Sequence, residues 1–273
     1  MANPTNLPSR YEIRRLAPEH SQWVCAILCH SNVFHSTIFP HVYPEAKGAR
    51  FNDMMRAAPY LVDHQISAGL SLGLFDKEFQ YKKADSALTN GKFYWDPENN
   101  EYSGEGLLEA MDFPLVSIAL SYDGVDALDS ARIAPLIATL PVFGTCYGQL
   151  DALDPRPLDS WRPAKRRGEI LMRNGTSTRH EYEGKGVMGG LARYLMRDAA
   201  AKGYKAVNIE CFNDAVTHVW SEPPSPFKGE IISSFRTDEH EEYLDGDKVK
   251  PFASANDIAK QLVTRVWTTL SET

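Results

Sequence analysis

Residues 182–220 read YEGKGVMGGLARYLMRDAAAKGYKAVNIECFNDAVTHVW. Four glycines (Gly184, Gly186, Gly189 and Gly190) fall within seven residues, and the chain then runs without glycine to Gly203. Val187, Met188, Leu191, Leu195 and Ala199 recur at three- and four-residue steps, which predicts an amphipathic helix, and Gly203 stands where a left-handed C-terminal cap is wanted. Lys205 to Phe212 then alternates: Val207, Ile209 and Cys211 point one way, and Asn208, Glu210 and Phe212 the other. Asn213 to Trp220 predicts a short helix stopped by Pro223 and Pro224. Glycines crowded against a helix start have two explanations. They make a tight turn, or they let bare backbone N–H groups close round an anion at the positive end of the helix.

Three phosphate-binding patterns compete for the loop. The Walker loop requires Ser or Thr after its lysine, and Lys185 is followed by Gly186. The dinucleotide fingerprint Gly-x-Gly-x-x-Gly fits Gly184, Gly186 and Gly189 by spacing. That motif belongs after the first strand of a doubly wound sheet, with an acid ending the next strand. Here the preceding strand comes third or fourth in the chain, and Glu210 lies inside the next strand. The third pattern is Gln/Arg-x-x-Gly-x-Gly/Ala, laid on Glu183, Gly184, Lys185, Gly186, Val187 and Met188. A polar lead-in closing on an aromatic precedes it (Thr178 to Tyr182), Leu191 follows, and Asn213, Ala215 and Trp220 are spaced like an Asn, an Ala two on and a Tyr seven on. On these residues the stretch from about Gly168 to Trp220 resembles the acetyl-CoA loop of the GNAT superfamily of N-acetyltransferases. Three positions depart from the pattern. Glu183 stands for Gln or Arg, Met188 for a small residue, and Trp220 for a Tyr that often protonates the leaving thiolate.

The resemblance implies an α/β fold with a mixed, mostly antiparallel central sheet, splayed between its fourth and fifth strands and carrying helices on both faces. It also implies acetyl-CoA as co-substrate and transfer of the acetyl group by direct attack of an amine. The residues it assigns to the donor are Asn174, Thr176 and Thr178 on the fourth strand, the loop and helix start Glu183, Gly184, Lys185, Gly186, Val187, Met188, Gly189 and Gly190, and Asn213. A backbone N–H near Asn174 is the candidate oxyanion donor. Candidate bases are Glu210, Glu169 and His35. The aromatics Phe143, Tyr147, Phe93, Tyr94, Trp95 and Tyr102 are candidates for lining the acceptor pocket, and a small-molecule amine is the expected acceptor. A GNAT-fold protein that binds acyl-CoA without transfer is the alternative, motivated by Trp220 and Glu183.

The rest of the chain reads as one domain over residues 1–273, with a loop and helix region inserted at about 77–165. Tyr11 to Pro18 reads as a strand; residues 20–39 and 49–76 read as helical, the latter interrupted at Pro59. Phe113 to Asp123 reads as a buried strand. Residues 130–154 read as helix broken near Pro141, residues 229–235 and 248–252 as closing strands, and 255–270 as a C-terminal helix.

Composition excludes several classes. The 273 residues are 43% hydrophobic, enough for a full core, and the net charge of −7 argues against a partner held by phosphate neutralisation, so no nucleic acid is expected. No run approaches the roughly 18 apolar residues of a membrane span. Cys25, Cys29, Cys146 and Cys211 make no CxxC pair and read as free thiols. The N-terminal MANPTNLPSRYEIRRL lacks an apolar core of signal-peptide length, so a cytoplasmic protein is expected. His30, His35 and His41 lack the spacing and carboxylates of a metal site, and none is expected.

Overall fold

The computed structural model describes residues 6–244, 246–255 and 260–270. The chain begins with strand β1 (Tyr11–Arg15), then helices α1 (Ser21–His30), α2 (Lys47–Ala57) and α3 (Pro59–Ser67) and strand β2 (Leu72–Asp76). The helical reading of 49–76 therefore holds up to Ser67 and fails at its end. All five residues of β2 are buried, so the strand shows no alternation by which to tell it from helix. Residues 77–112 hold short helices and a two-stranded ribbon pairing Lys92–Phe93 with Met111–Asp112. Strand β3 (Leu115–Asp123) and helices α4 (Ser130–Thr139) and α5 (Val142–Ala152) follow.

Strand β4 (Ile170–Thr178) leads through the glycine loop to helix α6 (Val187–Ala201), strand β5 (Ala206–Cys211) and helix α7 (Asp214–Ser221). The chain closes with β6 (Lys228–Arg236) and β7 (Leu262–Thr269). The C-terminal helix read over residues 255–270 is not what forms there. Within them Leu262–Thr269 is a strand, and 256–259 lie outside the described residues. Val, Thr and Trp favour a pleated surface, and β7 inserts between β5 and β6 with antiparallel ladders on both sides. A bulge against β6 between Arg265 and Val266 leaves Val263, Thr264, Arg265 and Val266 all buried. That break in alternation hid the strand. The 248–252 reading becomes a short strand, Asp247–Val249, in a separate ribbon with Glu242–Leu244.

The seven strands are ordered β1-β2-β3-β4-β5-β7-β6. Every neighbouring pair is antiparallel except β4 and β5, which are parallel. Helices α1 to α5 supply one core cluster, built around Ile27, Phe51, Val62, Phe113 and Leu150. Helices α6 and α7 supply a second, with Leu191, Leu195, Val207, Ile209 and Trp220. The sheet thus carries helices on both faces. Among the described residues no helix is long and apolar enough to cross a membrane.

Candidate active site

Two features of β4 make the site. The first is a bulge. Ala119 pairs with Thr176 and Ser121 with Arg173, so Asn174 and Gly175 together oppose Leu120. Gly175 takes φ +114°, and a Cβ there would stand 2.9 Å from the Leu120 side chain, so the bulge requires glycine. The second is a fork. The parallel ladder between β4 and β5 ends at Arg173 opposite Ile209. Beyond it the strands separate, and Asn174 to Thr178 and Glu210 to Asn213 line a cavity of about 680 Å³.

The glycine loop closes one end of this cavity. Arg179 is buried and donates to Phe113 O at 2.8 Å and Glu181 Oε1 at 2.5 Å, while Tyr182 donates to Asp76 Oδ2 at 3.0 Å. These bonds fix the loop to the sheet. Gly184 and Gly186 both take φ +71°, and Gly186 forms the N-cap of α6 without any side-chain cap. A helix N-terminus leaves its first N–H groups without intrahelical acceptors, and here Gly186, Val187, Met188 and Gly189 line the cavity. A Cβ at Gly184 or Gly186 would meet nothing within 4 Å, so the loop is an open cradle. Its donors and geometry fit a pyrophosphate.

The structure brings most of the expected residues together. Asn174, Thr176, Thr178, Glu183, Gly184, Gly186, Val187, Met188, Gly189, Asn213, Glu210 and His35 all line the one cavity. Three others lie off its lining. Lys185 folds back to donate to Glu181 O at 2.6 Å. Gly190 faces the Leu7 side chain. Glu169 accepts from the backbone N–H groups of Lys165 and Arg166 at the far end of β4. Glu183 turns to a loop neighbour: it pairs with His180 Nδ1 at 2.9 Å, while Arg179 is held by Glu181.

Glu210 and His35 differ in chemistry. Glu210 Oε1 accepts from Arg265 Nε at 3.1 Å and Asn208 Nδ2 at 2.9 Å. Both bonds fall on Oε1, which leaves Oε2 for the cavity. Arg265 is fully buried, and beyond Glu210 it also binds Asp151 and Asp154 (3.2 Å to Asp154 Oδ2). Those two acids are shared with Arg162 and Arg156. His35 stacks on His180 at 3.8 Å between ring centroids. Burial, with help from His180, pushes its pKa down to about 4, so at neutral pH His35 is an uncharged and weak base.

The opposite wall is apolar. Phe39 and Phe143 pack at 4.2 Å, and Phe143 and Tyr147 each meet Phe212, at 5.8 and 5.7 Å. Ile133, Leu136 and Met54 join them. Of the expected aromatics Phe143 and Tyr147 are here, whereas Phe93, Tyr94, Trp95 and Tyr102 pack against the α1–α5 core instead. Phe39 and Phe212 were not anticipated. Nor was Arg173 at the vertex of the fork, although an arginine in the apolar run ILMRNGTST was the visible signal. Trp220 is fully buried, its indole Nε1 without a hydrogen-bond partner.

No family model matches the chain, and no curated protein sequence matches it significantly. Solved structures do share its architecture. The C-terminal condensation domain of Ebony in complex with beta-alanyl-dopamine is similar over 94% of this chain and 98% of its own, at 16% identity and TM-score 0.61. Arylalkylamine N-acetyltransferase 2 from Aedes aegypti is similar over 96% and 100%, at 12% identity and TM-score 0.54. A putative arylalkylamine N-acetyltransferase 7 from the same mosquito is similar over 96% and 88%, at 11% identity and TM-score 0.51. With its sheet forked between the fourth and fifth strands and a glycine loop at the start of the helix between them, this chain has the fold of the GNAT acetyltransferases.

Proposed function

We propose that this protein is an N-acyltransferase that moves an acetyl group from acetyl-CoA to a small amine by direct attack in a ternary complex. The observation that carries this reading is the single cavity, in which an uncapped glycine-rich helix start, a forked strand pair and an apolar aromatic pocket meet. The N–H groups at Gly186 to Gly189 hold the pyrophosphate. The pantetheine arm runs along Asn174 to Thr178, and the bulge at Asn174 and Gly175 frees a backbone N–H to steady the oxyanion. Asn213 caps α7 through Ala215 N at 2.9 Å and sets the far edge of the fork.

The acceptor nitrogen must be neutral to attack. Glu210, fixed through Oε1, takes its proton at Oε2. The acceptor's body lies among Phe39, Phe143, Tyr147 and Phe212. Among the described residues the only carboxylates lining the cavity are Glu183 and Glu210, and Glu183 is paired at the loop. No acid is left for a second ammonium. This favours a monoamine with an aromatic or apolar body over a polyamine, and the aromatic amide bound to the Ebony domain agrees in kind.

Calorimetry with acetyl-CoA and CoA, followed by thiol release against arylalkylamines and polyamines, tests this. Binding with turnover of arylalkylamines is expected; failure to bind either thioester or thiol overturns it. The buried, acid-less Trp220 favours one other reading, a protein that binds acyl-CoA without transfer. Binding with no thiol release across the panel would select it.

A further inference from the structure

Three arginines are buried to 2% exposure or less: Arg173, Arg179 and Arg265. Arg179 has Glu181, and Arg265 has three acids. Among the described residues no carboxylate pairs with Arg173. Its Nη1 donates to Leu120 O and to Ser121 Oγ at 3.2 Å, and Nη2 to Thr176 Oγ1 at 2.6 Å. All three acceptors are neutral, and Nε has none. Burial pushes the guanidinium pKa down to about 9. A buried charge without a counter-charge is disfavoured, so its position in the fold needs a cause.

That position is the vertex of the fork. Arg173 is the last β4 residue paired to β5, opposite Ile209; it lies just behind the cavity wall, which its neighbours Asn174 and Thr176 and the β5 residues Ile209 and Cys211 line. Its guanidinium lies 5.6 Å over the Trp220 ring. Trp220 occupies the place of a tyrosine acid in the resembling pattern, and an indole N–H does not supply a titrating proton.

We propose that Arg173 is the electrostatic partner of the thiolate that leaves during transfer, doing by charge what a tyrosine does by proton donation. This rests on the transferase reading above. The acceptor ammonium first gives one proton to Glu210; the neutral amine's lone pair then attacks the thioester carbonyl carbon, and the nitrogen's second proton is lost to solvent. The C–N bond forms, and the C–S bond breaks with its electron pair going to sulfur. The sulfur leaves as thiolate, stabilised through the cavity wall by the charge of the Arg173 guanidinium, and is protonated from solvent after release. The anion that would compensate Arg173 is therefore present only during turnover or with free CoA bound.

The test is the thiol pKa of CoA bound to the wild-type protein, read from its ultraviolet thiolate band against a sulfur-free CoA analogue. The protein's own thiols stay silent, since all four cysteines are buried and burial holds Cys25 and Cys211 up at about 12. The bound thiol should titrate at least one unit below free CoA, a tenfold gain in thiolate. Arg173→Lys should keep most of that shift and Arg173→Met should abolish it. A wild-type bound thiol that titrates at or above the free value overturns the proposal, whether or not the variants fold. So does a shift that persists in folded Arg173→Met, which would assign it to the helix dipole. Absence of CoA binding by calorimetry would instead overturn the transferase reading itself.

Discussion

Glu210→Gln separates a base from a strut. In the structure Glu210 Oε1 takes two hydrogen bonds, from Arg265 and Asn208, and a glutamine oxygen can accept both. Arg265 keeps Asp151 and Asp154, so the substitution strands no charge. The stability cost should be about 1–2 kcal/mol, the value of one charge-assisted bond, rather than the roughly 3–5 kcal/mol of a broken buried pair. The catalytic cost should be far larger. Removing a general base costs about 10²- to 10⁴-fold, or roughly 3–5.5 kcal/mol of activation free energy. Thiol release should be followed with an alkylamine that is protonated at neutral pH, over a range of pH, with CoA affinity and the melting temperature measured on the same samples. Because the amide cannot take a proton, the variant's rate below the amine's pKa should rise about tenfold per pH unit, tracking the neutral amine. A weakly basic arylamine, already neutral, should lose much less. A folded Glu210→Gln protein that turns over the alkylamine within tenfold of wild type would refute the role given to Glu210 and leave it a strut for Arg265.

Three further outcomes follow from the geometry. Gly186→Asp meets no atom within 4 Å but places a side chain at φ +71°, so it should cost about 1–2 kcal/mol of stability and still fold, yet lose about 10²- to 10³-fold in CoA affinity, because a like charge about 4 Å from a phosphate costs up to roughly 4 kcal/mol; unchanged affinity by calorimetry in the folded variant would remove the loop from the site. Trp220→Phe should lower stability by about 1–3 kcal/mol through the lost indole volume while changing turnover less than tenfold, and a hundredfold loss would give Trp220 a chemical role. Burial pushes the pKa of His30 down to about 3 and that of His35 to about 4, so the unfolded chain binds more protons below its own pKa near 6.5, and stability should be full above about pH 6.5 and fall on acidification by up to about 1.4 kcal/mol per pH unit per histidine. A melting temperature constant from pH 6.5 to 4.5, or a slope unchanged in His30→Gln, would contradict this.

The sequence was most legible where local chemistry decides structure. The loop and its helix could be read because Gly184 and Gly186 answer a left-handed backbone, and Val187 to Ala199 carry one apolar face. The fork was legible only through resemblance: nothing in NGTST itself says that β4 leaves β5 after Arg173, since that depends on the partner strand. Strands β2 and β7 were missed for a related reason. Both lie inside the sheet, so β2 has no alternation, and the β7 alternation is broken by its bulge. Which loop neighbour Glu183 meets is not legible in the sequence, because the fold turns Arg179 inward to Phe113 O and Glu181 and leaves His180 for Glu183.

Arg173 and Arg265 place the same residue type in two opposite electrostatic settings. Arg265, on β7, is surrounded by Glu210, Asp151 and Asp154, and two of those acids have further arginines on their outer side. Its charge is compensated by the fold itself, and any single acid can be neutralised without leaving the guanidinium alone. Arg173, on β4, has only neutral oxygens and an orphaned Nε. Replacing each by methionine should therefore have different consequences. Arg265→Met strands acids packed under the cavity floor and should destabilise the resting protein, by a margin set by how many of them can reach Arg156, Arg162 or solvent. Arg173→Met removes an uncompensated charge and leaves three neutral oxygens, of which Leu120 O and Thr176 Oγ1 sit at the bulge. Replacing a buried ion pair by packed apolar groups is often neutral or stabilising; here the relief of removing an unpaired charge is set against the acceptors that lose their donor. A protein that becomes no less stable when Arg173 is lost, yet no longer lowers the thiol pKa of bound CoA, would show a charge kept for the leaving group rather than for the fold.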